Sequence, residues 1–116
     1  MAFVYFVQAS EYIKIGYTKS AKGFNQRLND FSVDCPYPVI LQAFIETDTV
    51  REAQEIEKRL HNKFAPFLKK GEWYWAEPVD LYLRTANENG LTYLPRREQK
   101  EAALSLRQFV IGGENA

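Results

Sequence analysis

Cysteine is almost absent from this chain, which carries only Cys35 in 116 residues. One cysteine cannot build a disulfide framework or a zinc knuckle, and with no secretory signal visible this favours a reducing, cytoplasmic compartment. Long apolar runs are also lacking, so we expect no membrane span. The formal net charge is zero, which argues against a strongly basic coat protein but leaves room for a local basic face.

Apolar and aromatic residues are plentiful, at 46% and 15% of the chain, as expected of a folded domain rather than a disordered one. The length suits one domain with its own core. We predict a main domain over residues 1–94, followed over 95–116 by a C-terminal helix and a frayed tail. That helix, Pro95 to about Val110, is amphipathic and offers a surface for a homodimer or a protein partner.

Two β-rich runs at the start of the chain predict a hairpin, Phe3–Val7 and Tyr12–Tyr17. The first run is apolar on both sides, as expected of a central strand covered by helices. On the second run, Lys14 and Gly16 share one face. The glycine permits a close approach to the backbone, and the lysine brings a positive charge to the same surface.

A helix and a third strand follow the hairpin. Ser20 can cap a helix whose apolar stripe is Phe24, Leu28 and Phe31. Arg27 falls on the edge of that stripe, at the border between core and solvent. The run Val39–Ile45 predicts the third strand. The fold class expected is therefore α+β, with a three-stranded, mainly antiparallel sheet flanked by helices and a C-terminal helical extension.

The next helix carries a carboxylate on its buried side. Thr49–Glu52 is a capping box that opens it. Its apolar stripe is Ala53, Ile56, Leu60 and Phe64. At 100° per residue Glu57 falls inside this stripe, so its carboxylate must be protonated, paired or bound to a cation. Arg27 or Lys14 could serve as a purely structural partner. His61 stands one turn later on the same side.

The rest of the main domain reads as a turn and a short helix. Lys69-Lys70-Gly71 is a basic turn that leads into the aromatic run Glu72–Trp75. Its two tryptophans are expected to be lids over the core, with base stacking as the less favoured alternative. After Pro78, a helix from Val79 to about Glu88 is predicted, with Asn89-Gly90 as its stop.

Four short motifs, in this order, resemble the GIY-YIG nuclease superfamily, in particular its small phage and bacterial branch. They are Phe3-Val4-Tyr5, Lys14-Ile15-Gly16-Tyr17-Thr18, the E-x-x-L-H-x-x-F helix from Glu57 to Phe64, and Gly71-Glu72-Trp73-Tyr74. The resemblance covers Ala2 to about Ala76. It implies metal-dependent hydrolysis of DNA phosphodiester bonds by an endonuclease with a single Mg²⁺ or Mn²⁺ site.

The resemblance also implies roles for individual residues. Tyr5 would orient or deprotonate the attacking water, Arg27 would contact the scissile phosphate, and Glu57 would hold the cation. Lys14 would offset charge on the phosphate, and His61 would donate to the phosphate or orient a metal-bound water. Two choices stay open: Tyr17 as an alternative to Tyr5, and Glu72 as an alternative to Glu57 as metal ligand.

Two other functions stay open beside the nuclease. One is a catalytically weak or inactive nucleic-acid- or protein-binding module of a phage or defence system. The other is an adaptor that self-associates through Ala102, Leu106 and Phe109. DNA is the expected partner, with RNA as an alternative. The basic residues that would line a DNA-facing side are Lys14, Lys19, Lys22, Arg27, Lys58, Arg59, Lys63, Lys69 and Lys70.

Overall fold

The computed structural model describes residues 1–34 and 37–94, without the side chains of residues 21, 25 and 31–34. Within them the chain forms a six-stranded antiparallel sheet and three α-helices, an α+β fold. The elements are β1 (Ala2–Ala9), β2 (Tyr12–Thr18), α1 (Ala21–Asp34), β3 (Val39–Thr47), α2 (Val50–Lys63), a 3-10 turn (Ala65–Phe67), β4 (Leu68–Lys70), β5 (Trp73–Trp75), α3 (Ala76–Thr85) and β6 (Leu91–Tyr93). The strand order is β4-β5-β2-β1-β3-β6.

The sheet is wider than the three strands that we expected. The hairpin of β1 and β2 and the third strand β3 form its centre, and β4 and β5 extend it beyond β2 while β6 extends it beyond β3. Each of the added strands has three residues. A strand that short does not complete enough alternations to show a period of two, so the sequence pattern gave no signal for it.

Strand β1 lies at the centre of the sheet, as its apolar residues on both sides predicted. Val4 and Phe6 face one side and Tyr5 and Val7 the other, and none is more than 1% exposed. The pairing of β1 with β3 shifts register between Phe6 and Val7, which leaves Gln42 as an extra residue in β3. This β-bulge bends β3 locally.

Helix α2 covers the side of the sheet that Val4 and Phe6 face. Its start is as predicted, because the Thr49 hydroxyl accepts a hydrogen bond from the Glu52 amide at 3.1 Å. Leu60, fully buried, packs in the same cluster as these strand residues. We call this side of the sheet the α2 face.

Helix α1 covers the opposite side, the α1 face. The Ser20 hydroxyl accepts a hydrogen bond from the Gly23 amide at 3.0 Å, as the predicted cap requires. Phe24 and Leu28 are buried against Tyr5 and Val7. Arg27 is exposed, and its side chain forms a hydrogen bond with the buried Tyr5, which places the guanidinium at the predicted border between core and solvent. The side chain of Phe31 and residue Cys35 lie outside the described part.

Helix α3 begins three residues before its predicted start and ends at Thr85. Pro78 lies in its first turn, where the missing proline N–H costs no helical hydrogen bond, so the proline does not precede the helix as expected. Gly90 then turns the chain with a φ of 80°. The predicted helix from Pro95 to Val110 lies outside the described residues. No helix within 1–34 and 37–94 is long and apolar enough to cross a membrane.

Candidate functional site at the edge of strand β2

Strand β5 pairs with only the first part of β2, so side chains from both faces of the sheet can come together beside the rest of that edge of β2. Strand β5 pairs with β2 from Tyr12 to Lys14, and the Ile15 amide then donates to the Glu72 carbonyl at 3.2 Å. The β4–β5 turn at Gly71, with a φ of 61°, leads the chain away from β2. Side chains from α2, β2 and this turn can therefore approach one another around the edge.

Three potential metal ligands meet there. Glu57, His61 and Glu72 each place one ligand atom within 4.8 Å of the others. Nε2 of His61 lies 3.7 Å from Oε1 of Glu57. Lys14 approaches from β2, with Nζ 3.9 Å from Oε2 of Glu72. We call Glu57, His61 and Glu72 the acidic trio.

The environment of Glu57 disfavours its charged form. Burial raises the pKa of Glu57 above its usual value, and the negative charge of Glu72 raises it further. Arg27 and Lys14 act in the opposite direction but do not cancel these effects. A helix carboxylate in this position is thus only partly compensated by its protein neighbours.

The imidazole of His61 lies between the Tyr74 hydroxyl and the Glu57 carboxylate. Nδ1 is hydrogen-bonded with the Tyr74 hydroxyl, and the two rings lie 5.5 Å apart between centroids. Burial lowers the pKa of His61, which favours the neutral ring at pH 7. Tyr74 is itself buried, so its contact fixes the orientation of the ring and leaves Nε2 directed towards Glu57.

Tyr5 enters the site from the α1 face. Its ring lies against Gly16, where an added Cβ would stand 2.4 Å from the phenolic oxygen. Burial raises the pKa of Tyr5, although a side-chain hydrogen bond with Arg27 lowers it. The close approach expected at Gly16 is therefore an approach by Tyr5. With a raised pKa the hydroxyl remains protonated at pH 7.

The site residues expected from the sequence are not all placed together. Arg27 and Glu72 both influence the pKa values of Tyr5 and Glu57, and Lys14 joins them through its contact with Glu72 and its effect on Glu57. The backbone of Tyr17 forms a hydrogen bond with Glu57, but its side chain lies elsewhere: the hydroxyl accepts from Nε2 of Gln54 at 3.0 Å, on the α2 face. This contact gives Tyr17 a structural partner of its own.

The predicted basic side is also divided. Arg59 donates to Glu88 at 2.8 Å, and Lys63 lies over the Tyr82 ring at 5.1 Å. These two cations are thus engaged with α3 and the segment that follows it, whereas Lys14 and Arg27 are the basic residues that influence the acidic trio.

The two tryptophans of β5 have different environments. Trp73 is half-buried and packs against the α1-face core, as expected of a lid. Trp75 is 42% exposed, so the expectation that it too covers the core is wrong. The reason is that α1 covers the central strands, whereas Trp75 lies at the far end of β5.

One partner of the site was not found from the sequence. Tyr74 was read only as part of an aromatic turn, yet it contacts His61. The three-residue strand leaves no pattern from which to find this contact, but once β5 is placed as a strand, its middle residue Tyr74 must face the side opposite to Trp73 and Trp75. That side is the α2 face, where His61 lies.

Comparison with known proteins assigns the chain to a family. The family model described as the T5orf172 domain matches residues 2–88, most of the chain. The chain belongs to the T5orf172 domain family. This membership favours a nuclease-like or nucleic-acid-binding module of phage type. No curated protein and no solved structure matches the chain.

This assignment corrects the expected resemblance to the GIY-YIG superfamily. The T5orf172 domain is a family distinct from GIY-YIG, although related domains of the two kinds are sometimes linked. No GIY-YIG family model matches the chain. The motifs that suggested the resemblance include residues which the fold itself requires. Ile15 and Leu60 fill the α2-face core, and Gly16 makes room for Tyr5. Such short patterns are therefore weak evidence for one particular superfamily.

Proposed function

We propose that this T5orf172 domain is a metal-dependent endonuclease that hydrolyses a DNA phosphodiester bond at the edge of β2. The observation that carries the proposal is the acidic trio, Glu57, His61 and Glu72, with ligand atoms within 4.8 Å of one another. Tyr5, Arg27 and Lys14 act on the same group of charges. Acidic ligands beside cationic side chains are the parts that phosphodiester hydrolysis needs.

The donor set fits a divalent cation. Two carboxylates provide the hard oxygen ligands of Mg²⁺ or Mn²⁺, and an imidazole nitrogen raises the preference for a transition metal such as Mn²⁺. Burial and the negative charge of Glu72 both raise the pKa of Glu57. A cation bound between the two carboxylates would offset this repulsion and favour the charged form of Glu57. The hydrogen bond between His61 Nδ1 and the Tyr74 hydroxyl is the kind of outer contact that orients a ligating histidine: with Nδ1–H as the donor, Nε2 would be free of a proton and could bind the cation.

Glu57 and Glu72, with His61 as a third ligand, would hold this cation. When bound, it would activate a water and neutralise charge on the phosphate. Glu57 or Glu72 alone would be a weaker site, because one carboxylate leaves more of the coordination to water.

The remaining side chains would bind and orient the phosphate. Arg27 is exposed and always charged, so it can contact a phosphate oxygen. Lys14 is 18% exposed in its side chain and adds a second positive charge. Tyr5 is buried and its pKa is raised, so its hydroxyl would hold the Arg27 guanidinium in place rather than remove a proton from water.

Cleavage of supercoiled plasmid and of single-stranded DNA with Mg²⁺ or Mn²⁺ tests the proposal. We expect Glu57→Gln to lower the metal-dependent rate by roughly 100-fold or more, since it removes a ligand of the cation. Arg27→Ala should lower it as well. The matched control is Glu55→Gln, because Glu55 lies on the same helix with a side chain 66% exposed.

Two results would overturn the proposal. One is a folded wild-type protein that binds DNA and does not cut it with either metal, which would leave a nucleic-acid-binding module. The other is a Glu57→Gln variant that cuts as fast as the Glu55→Gln control. Binding of Mn²⁺, measured without DNA, should weaken in Glu57→Gln and stay unchanged in the control.

A further inference from the structure

We infer that the exposed Trp75 and its half-buried neighbour Tyr12, with Lys69, form a stacking site for an unpaired nucleotide that lies next to the acidic trio. The inference rests on the proposed function and names the class of substrate: DNA that is single-stranded beside the bond to be cut. We call these three residues the stacking patch.

The patch presents aromatic surface to solvent. Tyr12 and Trp75 are cross-strand partners of β2 and β5, and their ring centroids lie 5.1 Å apart with an interplanar angle of 45°. Trp75 remains 42% exposed. An indole on a strand is held rigidly by its backbone, so little conformational entropy is lost when a flat ring stacks on it.

A cation is placed where the phosphate of a stacked nucleotide would lie. Nζ of Lys69 is 5.6 Å from the centroid of the Trp75 ring. Lys69 is exposed, and its flexible stem can move aside for a base while the ammonium stays near the ring. Lys70, also exposed, adds a second positive charge on the same short strand. Aromatic rings combined with lysines are the means by which proteins bind single-stranded nucleic acid.

The patch is continuous with the candidate active site. The cross-strand pair next to Tyr12 and Trp75 on the same face is Lys14 and Trp73, where Nζ of Lys14 lies 5.8 Å from the Trp73 ring. Two residues along a strand span about 7 Å, so the patch lies within reach of a neighbouring nucleotide. Lys14 in turn contacts Glu72 of the acidic trio.

The surface becomes acidic on the other side of Trp75. A cavity of about 490 Å³ there is lined by Trp75 and by two carboxylates, Glu11 and Glu77. These charges repel a phosphate backbone, whereas Lys69 and Lys14 attract it. The distribution of charge thus favours an anionic strand that runs from Trp75 towards Lys14, and the aromatic surface of Trp75 and Tyr12 favours DNA over an acidic protein segment, which has no bases to stack.

Binding of fluorescently labelled oligonucleotides in EDTA separates stacking from cleavage. Trp75→Ala should weaken the affinity for a short single strand by roughly 5- to 100-fold and leave the affinity for a blunt duplex within about twofold. Trp75→Phe should retain most of the affinity. Lys69→Gln should reduce the slope of log K against log salt by about 0.7. The control is Leu81→Ala, since Leu81 is 55% exposed on α3.

The inference fails if Trp75→Ala binds the single strand as tightly as the Leu81→Ala control, if it loses duplex and single-strand affinity equally, or if wild type binds no single strand. Its failure differs from that of the proposed nuclease. Metal-dependent cleavage with no effect of Trp75→Ala on single-strand binding would remove only the stacking patch. Absent cleavage with a strong effect of Trp75→Ala would remove only the nuclease.

Discussion

The two faces of the sheet are built differently. Among the described side chains, the α2 face buries thirteen residues in one cluster, and the α1 face buries five. The α2-face cluster contains residues of the strands, of α2 and of α3. The described α1-face cluster is the smaller one and includes Tyr5, whose ring lies against Gly16.

This difference separates stability from the candidate chemistry. Tyr5, Lys14, Trp73 and Trp75 all belong to the α1 face of the sheet, while α2 contributes Glu57 and His61 around the edge of β2. Among the described residues of this face, Lys14, Trp73 and Trp75 keep part of their side chains exposed, where a ligand can reach them. The well-packed face opposite can then supply the free energy that holds them in place.

The largest effect should come from the α2-face core. Leu60→Ala removes a fully buried side chain and should lower the free energy of unfolding by roughly 3–5 kcal/mol. Leu28→Ala, at a site 2% exposed on α1, should cost about 2–3 kcal/mol because the smaller described cluster around it can relax into the cavity. Urea unfolding of both variants measures the difference. A larger loss in Leu28→Ala would contradict the division of the two faces.

A smaller effect is expected where the faces meet. Gly16→Ala would place a Cβ 2.4 Å from the Tyr5 hydroxyl oxygen, and the buried ring has little room to move. Such overpacking should cost about 1–3 kcal/mol. Gly71→Ala is the control: nothing lies within 4 Å of its added Cβ, and only its φ of 61° is unfavourable, at a cost of about 1 kcal/mol. Equal unfolding free energies for Gly16→Ala and wild type would show that Tyr5 is not held against β2.

The smallest effect concerns a polar group at the rim of the α2 face. Burial acts to raise the pKa of Glu88, but hydrogen bonds from Tyr82 and Arg59 outweigh it and hold that pKa below its usual value. Because the folded state binds this proton less tightly, Glu88 stabilises the fold above the pKa of the unfolded chain, and the contribution is lost as the pH falls. Glu88→Gln should therefore cost about 1 kcal/mol at pH 7, and the cost should shrink as the pH falls through the lowered pKa of Glu88 in the folded state.

Urea unfolding across this pH range measures the effect of Glu88→Gln. A cost that does not change with pH would show that the carboxylate charge has no part in it. Cleavage and DNA binding should stay as in wild type, since Glu88 contacts Arg59 and Tyr82 and not the acidic trio.

The parts of the fold that the sequence predicts are those with a local signal. The hairpin follows from two β-rich runs with a short turn between them, and the start of α2 follows from the capping residues around Thr49. The edge strands do not follow, because three residues are too few for a period and their pairing is decided by neighbouring strands. Tertiary packing likewise decides that Trp73 is covered and Trp75 is not.

Part of the candidate site was predictable for a physical reason. A carboxylate within an apolar helical stripe requires a partner, which singled out Glu57. The sequence left Glu57 and Glu72 as alternatives, whereas the fold places both with His61. The choice between Tyr5 and Tyr17 depends on the face of the sheet to which each side chain points. The Tyr17 side chain contacts Gln54 of α2, a residue far away in the sequence, so the sequence pattern around Tyr17 does not show this contact.

The β-bulge at Gln42 has a consequence for how the chain tolerates a change of length. Losing one residue from a strand normally turns its neighbours inside out, but here Leu41 already faces α1 and Ala43 already faces α2. Loss of Gln42 would keep that arrangement. It would instead remove the contacts of β3 with Leu94 and with α3, because the Gln42 carbonyl accepts a hydrogen bond from the Leu94 amide at 2.9 Å and the Gln42 side chain donates one to Asp80. The extra residue thus attaches Leu94 and α3 to β3, and the alternation of the strand does not depend on it.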